Sequence, residues 1–123
     1  MKTNLQTIAK CTASVRKLAD IDLGSPKENY RFMNVIHSVE EESKKFIELQ
    51  RGIVEKYRDS EQKEDIYIPV ESIESFNREM QEAGEIAVEL DWDAVDCSIH
   101  LLNGFTANDM QCLDGVFINI KGE

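Results

Sequence analysis

The fold is decided by residues 27–58, which read KENYRFMNVIHSVEEESKKFIELQRGIVEKYR. Side chains on one side of this stretch recur at alternating intervals of four and three residues, which is the spacing of a heptad seam. The seam consists of Phe32, Ile36, Val39, Ser43, Phe46, Gln50, Ile53 and Tyr57. Ser43 and Gln50 are polar, and the other members are apolar. An adjacent row widens the apolar face with Met33, Ile47 and Val54. The stretch predicts one long amphipathic helix.

At a rise of about 1.5 Å per residue this helix is about 48 Å long, which overshoots a compact domain of this size. A second amphipathic helix is predicted over residues 4–20, and Ser25 and Pro26 are expected to cap and begin the long one. The first helix can cover only about half of the seam. The rest needs either the C-terminal half of the chain or another subunit. Ser43 and Gln50 fit either a partly wet seam or a polar layer that sets the register of an oligomer.

The C-terminal half shows shorter patterns. A charged connector at 58–65 leads to a predicted strand at 66–70, a helix at 73–84 and a strand at 86–90, which favours a parallel pair with a right-handed crossover if the strands are adjacent. Thr106, with Asp109 three residues later, predicts a capped helix that runs through Leu113. We expect a single α+β domain over residues 1–123, in which a long helical hairpin (1–58) precedes a small α/β half (66–123).

The charge is concentrated in the middle of the chain. The net charge is −10, and residues 59–96 alone carry 13 acidic and 2 basic residues. Binding to a nucleic-acid backbone needs clustered Lys and Arg, so direct nucleic-acid binding is not expected. No run of about 18 apolar residues and no apolar signal core is present, so neither a membrane span nor secretion is expected. The odd number of cysteines, three, favours reduced thiols in a cytoplasm.

Several side chains invite a chemical interpretation, and none makes a complete motif. Cys97 and His100 have a ligand-like spacing and Cys112 follows, but zinc usually takes four ligands. Asp93 and Asp96 should raise the pKa of the Cys97 thiol, which disfavours a nucleophilic role. His37 is expected at the surface, and Asp91, with the two aspartates after it, lacks the geometry of a calcium loop. We therefore expect no catalytic residue, no metal and no cofactor.

The acidic segment has two interpretations. It is either a solubilising face or a surface that mimics the charge of nucleic acid and occupies a basic groove on another protein. The residues that would form such a surface are Glu71, Glu74, Glu82, Glu85, Glu89, Asp91 and Asp93. Strand alternation at residues 85–90 is expected to set the glutamates of that segment opposite its apolar side chains.

The order of three features resembles a family of short phage and prophage proteins of Gram-positive bacteria, known as a domain of unknown function. These features are VEEESKKF at 39–46 with VEKY at 54–57, FNRE at 76–79 with EIAVEL at 85–90, and LNGFTANDMQCL at 102–113. The chain departs from the family in having Trp92 and Asp93 where a proline follows the second strand. The resemblance implies a phage or prophage origin and supplies no known active site.

Together these observations predict a phage-encoded accessory protein, not an enzyme, that acts through protein–protein contacts in particle assembly or as an oligomeric adaptor. The alternative is an acidic inhibitor of a host defence or nucleic-acid enzyme. The predicted contact residues are the apolar seam positions Phe32, Ile36, Val39, Phe46, Ile53 and Tyr57. The expected partner is a phage or host protein, with a homodimer favoured. The expected place is the host cytoplasm or the virion.

Overall fold

The computed structural model describes residues 1–58 and 67–122. Strand β1 (Lys2–Asn4) runs into helix α1 (Leu5–Lys17), a 3-10 turn follows at Leu18–Asp20, and helix α2 spans Pro26–Tyr57. After a 3-10 turn at Val70–Ser72 come helix α3 (Ile73–Gly84) and strands β2 (Ala87–Glu89) and β3 (Val95–Ser98). A 3-10 turn at Ile99–Leu101, helix α4 (Ala107–Leu113) and strand β4 (Ile118–Lys121) complete the order. The predicted α+β class, with its long hairpin and capped C-terminal helix, is confirmed.

Local signals in the sequence place the helix ends. The Asn4 side chain accepts a hydrogen bond of 2.9 Å from the backbone N–H of Thr7 and begins α1. Ser25 accepts one of 3.2 Å from the N–H of Glu28 and begins α2, as predicted. At α4 the full capping box is present, because Thr106 and Asp109 each accept from the other's backbone N–H.

The strand pairing differs from the prediction. β2 pairs antiparallel with β1, so that Thr3 lies opposite Val88, and the described residues before α3, 67–72, form no parallel pair with it. The strand predicted at 66–70 is wrong where the structure describes it, because residues 67–69 are irregular and Val70 begins a 3-10 turn. Ile66 and most of the predicted connector, residues 59–65, lie outside the described residues. β3 pairs in parallel with β4, which turns the predicted apolar tail into a strand.

One buried cluster joins both halves of the chain. Trp92 and Phe32 pack with their ring centroids 5.0 Å apart, and the indole Nε1 donates a hydrogen bond of 2.8 Å to the carbonyl oxygen of Phe117. Around them lie Ile8, Val15, Leu18, Val39, Leu113 and Ile118, all almost fully buried. α1 lies against α2, α3 and α4, so it is the element on which the rest of the fold packs.

Candidate interaction surface

The proximal half of the predicted seam is buried against α1. Phe32, Ile36 and Val39 belong to the same buried cluster as Ile8 and Val15 of the first helix. Heptad spacing keeps these side chains on one side of α2, and the amphipathic side of α1 covers them. The seam is therefore core in this part of the chain and is not open to a partner.

The distal half of the seam is covered by α3. Phe46 is buried in a second cluster with Leu5 and Ala83, and the half-buried Ile53 packs against that cluster. Further along, the rings of Tyr57 and Phe76 meet edge to face at a centroid distance of 6.3 Å. The sequence left open whether the C-terminal half of the chain or another subunit covers this part of α2. In the structure, the C-terminal half covers it.

A polar cluster fixes the middle of α3 against the C-terminal end of α2. The Lys56 ammonium lies 3.0 Å from the Glu79 carboxylate, and the Tyr57 hydroxyl donates to the same carboxylate. The Tyr57 and Lys56 bonds hold the pKa of Glu79 below its ordinary value. The bond to Glu79 in turn raises the pKa of Tyr57. The polar seam residues Ser43 and Gln50 are half-buried, which is what a partly wet seam predicts.

Large apolar side chains remain exposed at both ends of α3. Val70, just before the helix, is 75% exposed, Ile73 in its first turn is 41% exposed, and Ile86, just after it, is 45% exposed. The predicted strand alternation is therefore only partly observed, because Ile86 is exposed while Leu90 is buried. Contiguous exposed apolar patches commonly mark contact sites, and Val70 and Ile73, three residues apart, are the neighbouring pair in this set.

Exposed carboxylates alternate with these apolar side chains along the chain. Glu71 and Glu74 accompany Val70 and Ile73, and Glu82 and Glu85 precede Ile86. We call the set the α3 surface, and it comprises Val70, Glu71, Ile73, Glu74, Glu82, Glu85 and Ile86. It combines apolar area with negative charge, which suits a protein surface of apolar and basic side chains.

The remaining members of the predicted acidic surface are exposed as well. Glu89 lies 3.7 Å from the N-terminal ammonium of Met1, so part of its charge is balanced within the chain. Asp91 and Asp93 lie in the exposed segment between β2 and β3. On α3 itself, Arg78 falls between Glu74 and Glu82 at four-residue spacing, on the same face of the helix. A cation therefore interrupts the acidic row.

The residues with possible metal chemistry do not come together. Cys97 is buried in β3, His100 is exposed, and Cys112 lies on α4 beside Cys11. Burial raises the pKa of the Cys97 thiol, in the predicted direction but not through the neighbouring aspartates. Among residues 1–58 and 67–122, no three His, Cys, Asp or Glu side chains are grouped as metal ligands would be.

Other predicted positions are surface residues. His37 is exposed on α2, and Asp96 lies 3.8 Å from the Lys121 ammonium across the β3–β4 pair. None of the helices in the described part of the chain is long and apolar enough to cross a membrane. The chain was compared with protein-family models, curated proteins and solved structures, and none of these matches it.

Two side-chain clusters were not found by sequence reasoning. Asp109 accepts from Ser14 and Lys17 of α1 in addition to capping α4, and the Cys11 and Cys112 thiols lie together between the same two helices. The capping signal of Asp109 is local and visible in the sequence. Its second role depends on a helix 95 residues away in the chain, for which a single sequence carries no periodic signal.

Proposed function

We propose that this protein binds another protein through the α3 surface and has no catalytic role of its own. The observation that carries the proposal is the alternation of exposed apolar side chains and carboxylates at both ends of α3. Apolar area supplies affinity when it is covered, and carboxylates around it select a partner with basic side chains. The partner chemistry that follows is an apolar patch rimmed by Lys or Arg.

The resemblance to phage and prophage proteins supports a more specific form of this proposal. The protein would be a phage or prophage accessory protein that joins components during particle assembly or acts as an adaptor. It would act in the cytoplasm of the bacterial host or on the particle. The covered seam leaves α2 free to act as a rigid support that holds α3 in place, since α3 packs along its distal half.

Self-association remains part of the proposal, but by a different surface. The seam that suggested a dimer is covered within the chain, so a dimer would use the adjacent row on α2. Met33 is 46% exposed and Ile47 is 49% exposed in this row, and Val54 is half-buried. These positions repeat at multiples of seven residues, which suits contact with a second helix.

The alternative function is that of an acidic inhibitor which occupies the basic groove of a host enzyme that acts on nucleic acid. The observation in its favour is that all seven predicted acidic residues are exposed. On that hypothesis the carboxylates carry recognition and the apolar side chains are incidental. The two functions therefore differ in which side chains of the same region matter.

Affinity capture from host cells followed by mass spectrometry, with three matched variants, separates these functions. Val70→Ser with Ile73→Ser should remove the captured partner if apolar contact carries binding. Ile99→Ser with Leu101→Ser is the control, because those side chains are 40% and 49% exposed and lie outside the α3 surface.

The third variant replaces Glu82, Glu85 and Glu89 with Gln. A salt-dependent loss of the partner with this variant, and none with the apolar one, would establish the inhibitor function instead. A partner retained by every variant, or no protein enriched over an unrelated bait, would contradict binding through the α3 surface.

A further inference from the structure

Two cysteines from opposite ends of the chain lie side by side between α1 and α4. The Sγ atom of Cys11 lies 3.7 Å from the carbonyl oxygen of Cys112, and the Sγ atom of Cys112 lies 3.9 Å from the carbonyl oxygen of Lys10. Each sulfur therefore faces the backbone of the other helix, at the other cysteine or at the residue before it. The two side chains are close enough for Cys112 to contribute to raising the pKa of Cys11.

The two thiols differ in their access to solvent. Cys11 is only 3% exposed, whereas Cys112 is half-buried. Cys112 lies at the wall of a surface groove of about 600 Å³, together with Lys10, Thr106 and Gln111. Cys11 also lines this groove, but Cys112 is the more exposed of the two, so a small oxidant in the groove would reach the Cys112 sulfur more readily.

We propose that Cys11 and Cys112 form a peroxide-sensitive dithiol that closes a disulfide between α1 and α4. This inference is independent of the proposed binding function, because neither cysteine belongs to the α3 surface. It extends the expectation of reduced thiols, since the pair is reduced at rest and the bond forms only on exposure to hydrogen peroxide.

The reaction balances with hydrogen peroxide as the only added reagent. The Cys112 sulfur, as the thiolate, attacks one peroxide oxygen, the O–O bond breaks, and hydroxide leaves and takes up the thiol proton as water. This step yields a sulfenic acid on Cys112. The Cys11 sulfur then attacks the Cys112 sulfur, the S–O bond breaks, and the departing hydroxide takes the proton of the Cys11 thiol. Two thiols and one peroxide give one disulfide and two waters.

The electrostatics favour this order of events. Burial, followed by the hydrogen bond and charge of Cys112, raises the pKa of Cys11 to about 12, while the Lys10 ammonium acts in the opposite direction. Cys11 is therefore a poor first nucleophile. Once Cys112 has become a neutral sulfenic acid, its thiolate charge no longer opposes ionisation of Cys11 and the Lys10 ammonium still favours it, while burial, the largest cause of the raised pKa, persists.

The test treats the folded, reduced protein with hydrogen peroxide and then blocks the remaining thiols with a maleimide under denaturing conditions. We expect two of the three thiols to become unreactive, with a loss of the mass of two hydrogen atoms and a peptide pair that links Cys11 to Cys112. Cys97→Ala should behave as the wild type does. The oxidised protein should unfold several degrees higher than the reduced one, because the link closes a long loop.

Single variants test the order of the two steps. Cys112→Ala should leave Cys11 unoxidised, because the exposed sulfur is missing, and Cys11→Ala should accumulate a dimedone-reactive sulfenic acid on Cys112. Since Cys112 is half-buried, its replacement is the milder of the two, and circular dichroism checks that each variant is folded. The inference is overturned if the folded wild type forms no link between Cys11 and Cys112, if Cys97 reacts as readily, or if Cys112 proceeds to the sulfinic acid with Cys11 still reduced.

Discussion

The Ser14 hydroxyl donates a hydrogen bond of 2.7 Å to the Asp109 carboxylate and thereby joins α1 to α4. The same carboxylate accepts from the Lys17 ammonium and, at 2.9 Å, from the backbone N–H of Thr106. Asp109 thus completes the cap of α4 and fixes that helix to α1. The ion pair with Lys17 requires the ionised carboxylate, which accepts all of these hydrogen bonds and donates none.

Replacement of Asp109 by Asn should weaken the fold at neutral pH and flatten its response to acid. The Lys17 bond, followed by the Ser14 and Thr106 bonds, holds the pKa of Asp109 well below its ordinary value of 3.8. A lowered folded pKa gives stability that is fully present above the ordinary value and is lost as the pH falls towards the folded one. Urea titration at pH 7 and at pH 3 measures the free energy of unfolding. Between these two pH values it should fall less in the variant than in the wild type.

The matched comparison for this experiment is Ser14→Ala. It removes one neutral donor and leaves the charged pair, so it should cost about 1 kcal/mol at pH 7 and keep most of the acid dependence. Ser38→Ala, at an exposed position of α2, should change neither quantity. If the free energy of unfolding falls equally with pH in the wild type and in the Asn variant, Asp109 is not the source of the acid dependence.

Replacement of Trp92 by Phe should destabilise the protein by about 1–3 kcal/mol, because the carbonyl oxygen of Phe117 would then be buried without its donor. Trp92 is only 2% exposed, and its indole nitrogen makes that bond at 2.8 Å. Denaturant unfolding followed by circular dichroism measures the loss. A change below about 0.5 kcal/mol, the usual range for surface substitutions, would contradict the importance of this bond.

Replacement of Gly52 by Ala should stabilise the protein by about 0.5–1 kcal/mol. Gly52 lies inside α2, where glycine loses more backbone freedom on folding than alanine does. A Cβ atom built at this position meets no atom within 4 Å, so the substitution introduces no clash. Thermal and urea unfolding of the two proteins test this, and a lower midpoint in the Ala variant would rule out the expectation.

The proposed dimer predicts a specific response to two substitutions. Light scattering at micromolar concentration should give twice the monomer mass for the wild type. Met33→Ser with Ile47→Ser should give the monomer mass with unchanged helicity, because both side chains are about half exposed and lie outside the core. A monomeric wild type would remove the dimer from the proposal and leave the α3 surface unaffected.

Features with local causes were predictable from the sequence. The heptad spacing from Phe32 to Tyr57 gave α2 its length, and the caps at Ser25 and Thr106 gave two helices their starts. These signals depend on neighbours within about four residues, so one sequence contains them in full.

Features with distant partners were not predictable. Val88 sits in the predicted second strand, but nothing near it indicates that Thr3 lies opposite. β3 was missed because the alternation of apolar and polar residues from Val95 to Ser98 covers only four residues, and its partner strand β4 lies about twenty residues further along the chain. The α3 surface was only half recognised, since the carboxylates were visible but the exposure of Val70 and Ile73 depends on how the helix packs.

The pairing of β1 with β2 also has a consequence for the order in which the chain folds. Residues 2–4 find their partner only at residues 87–89, whereas α1 and α2 are neighbours in the chain. During synthesis the α1–α2 hairpin can therefore form early, while the strand before it stays unpaired until most of the chain has left the ribosome. Contacts between such distant segments close slowly. The apolar faces of α1 and α2 that pack against α3 and α4 in the finished fold therefore stay exposed to solvent for that interval.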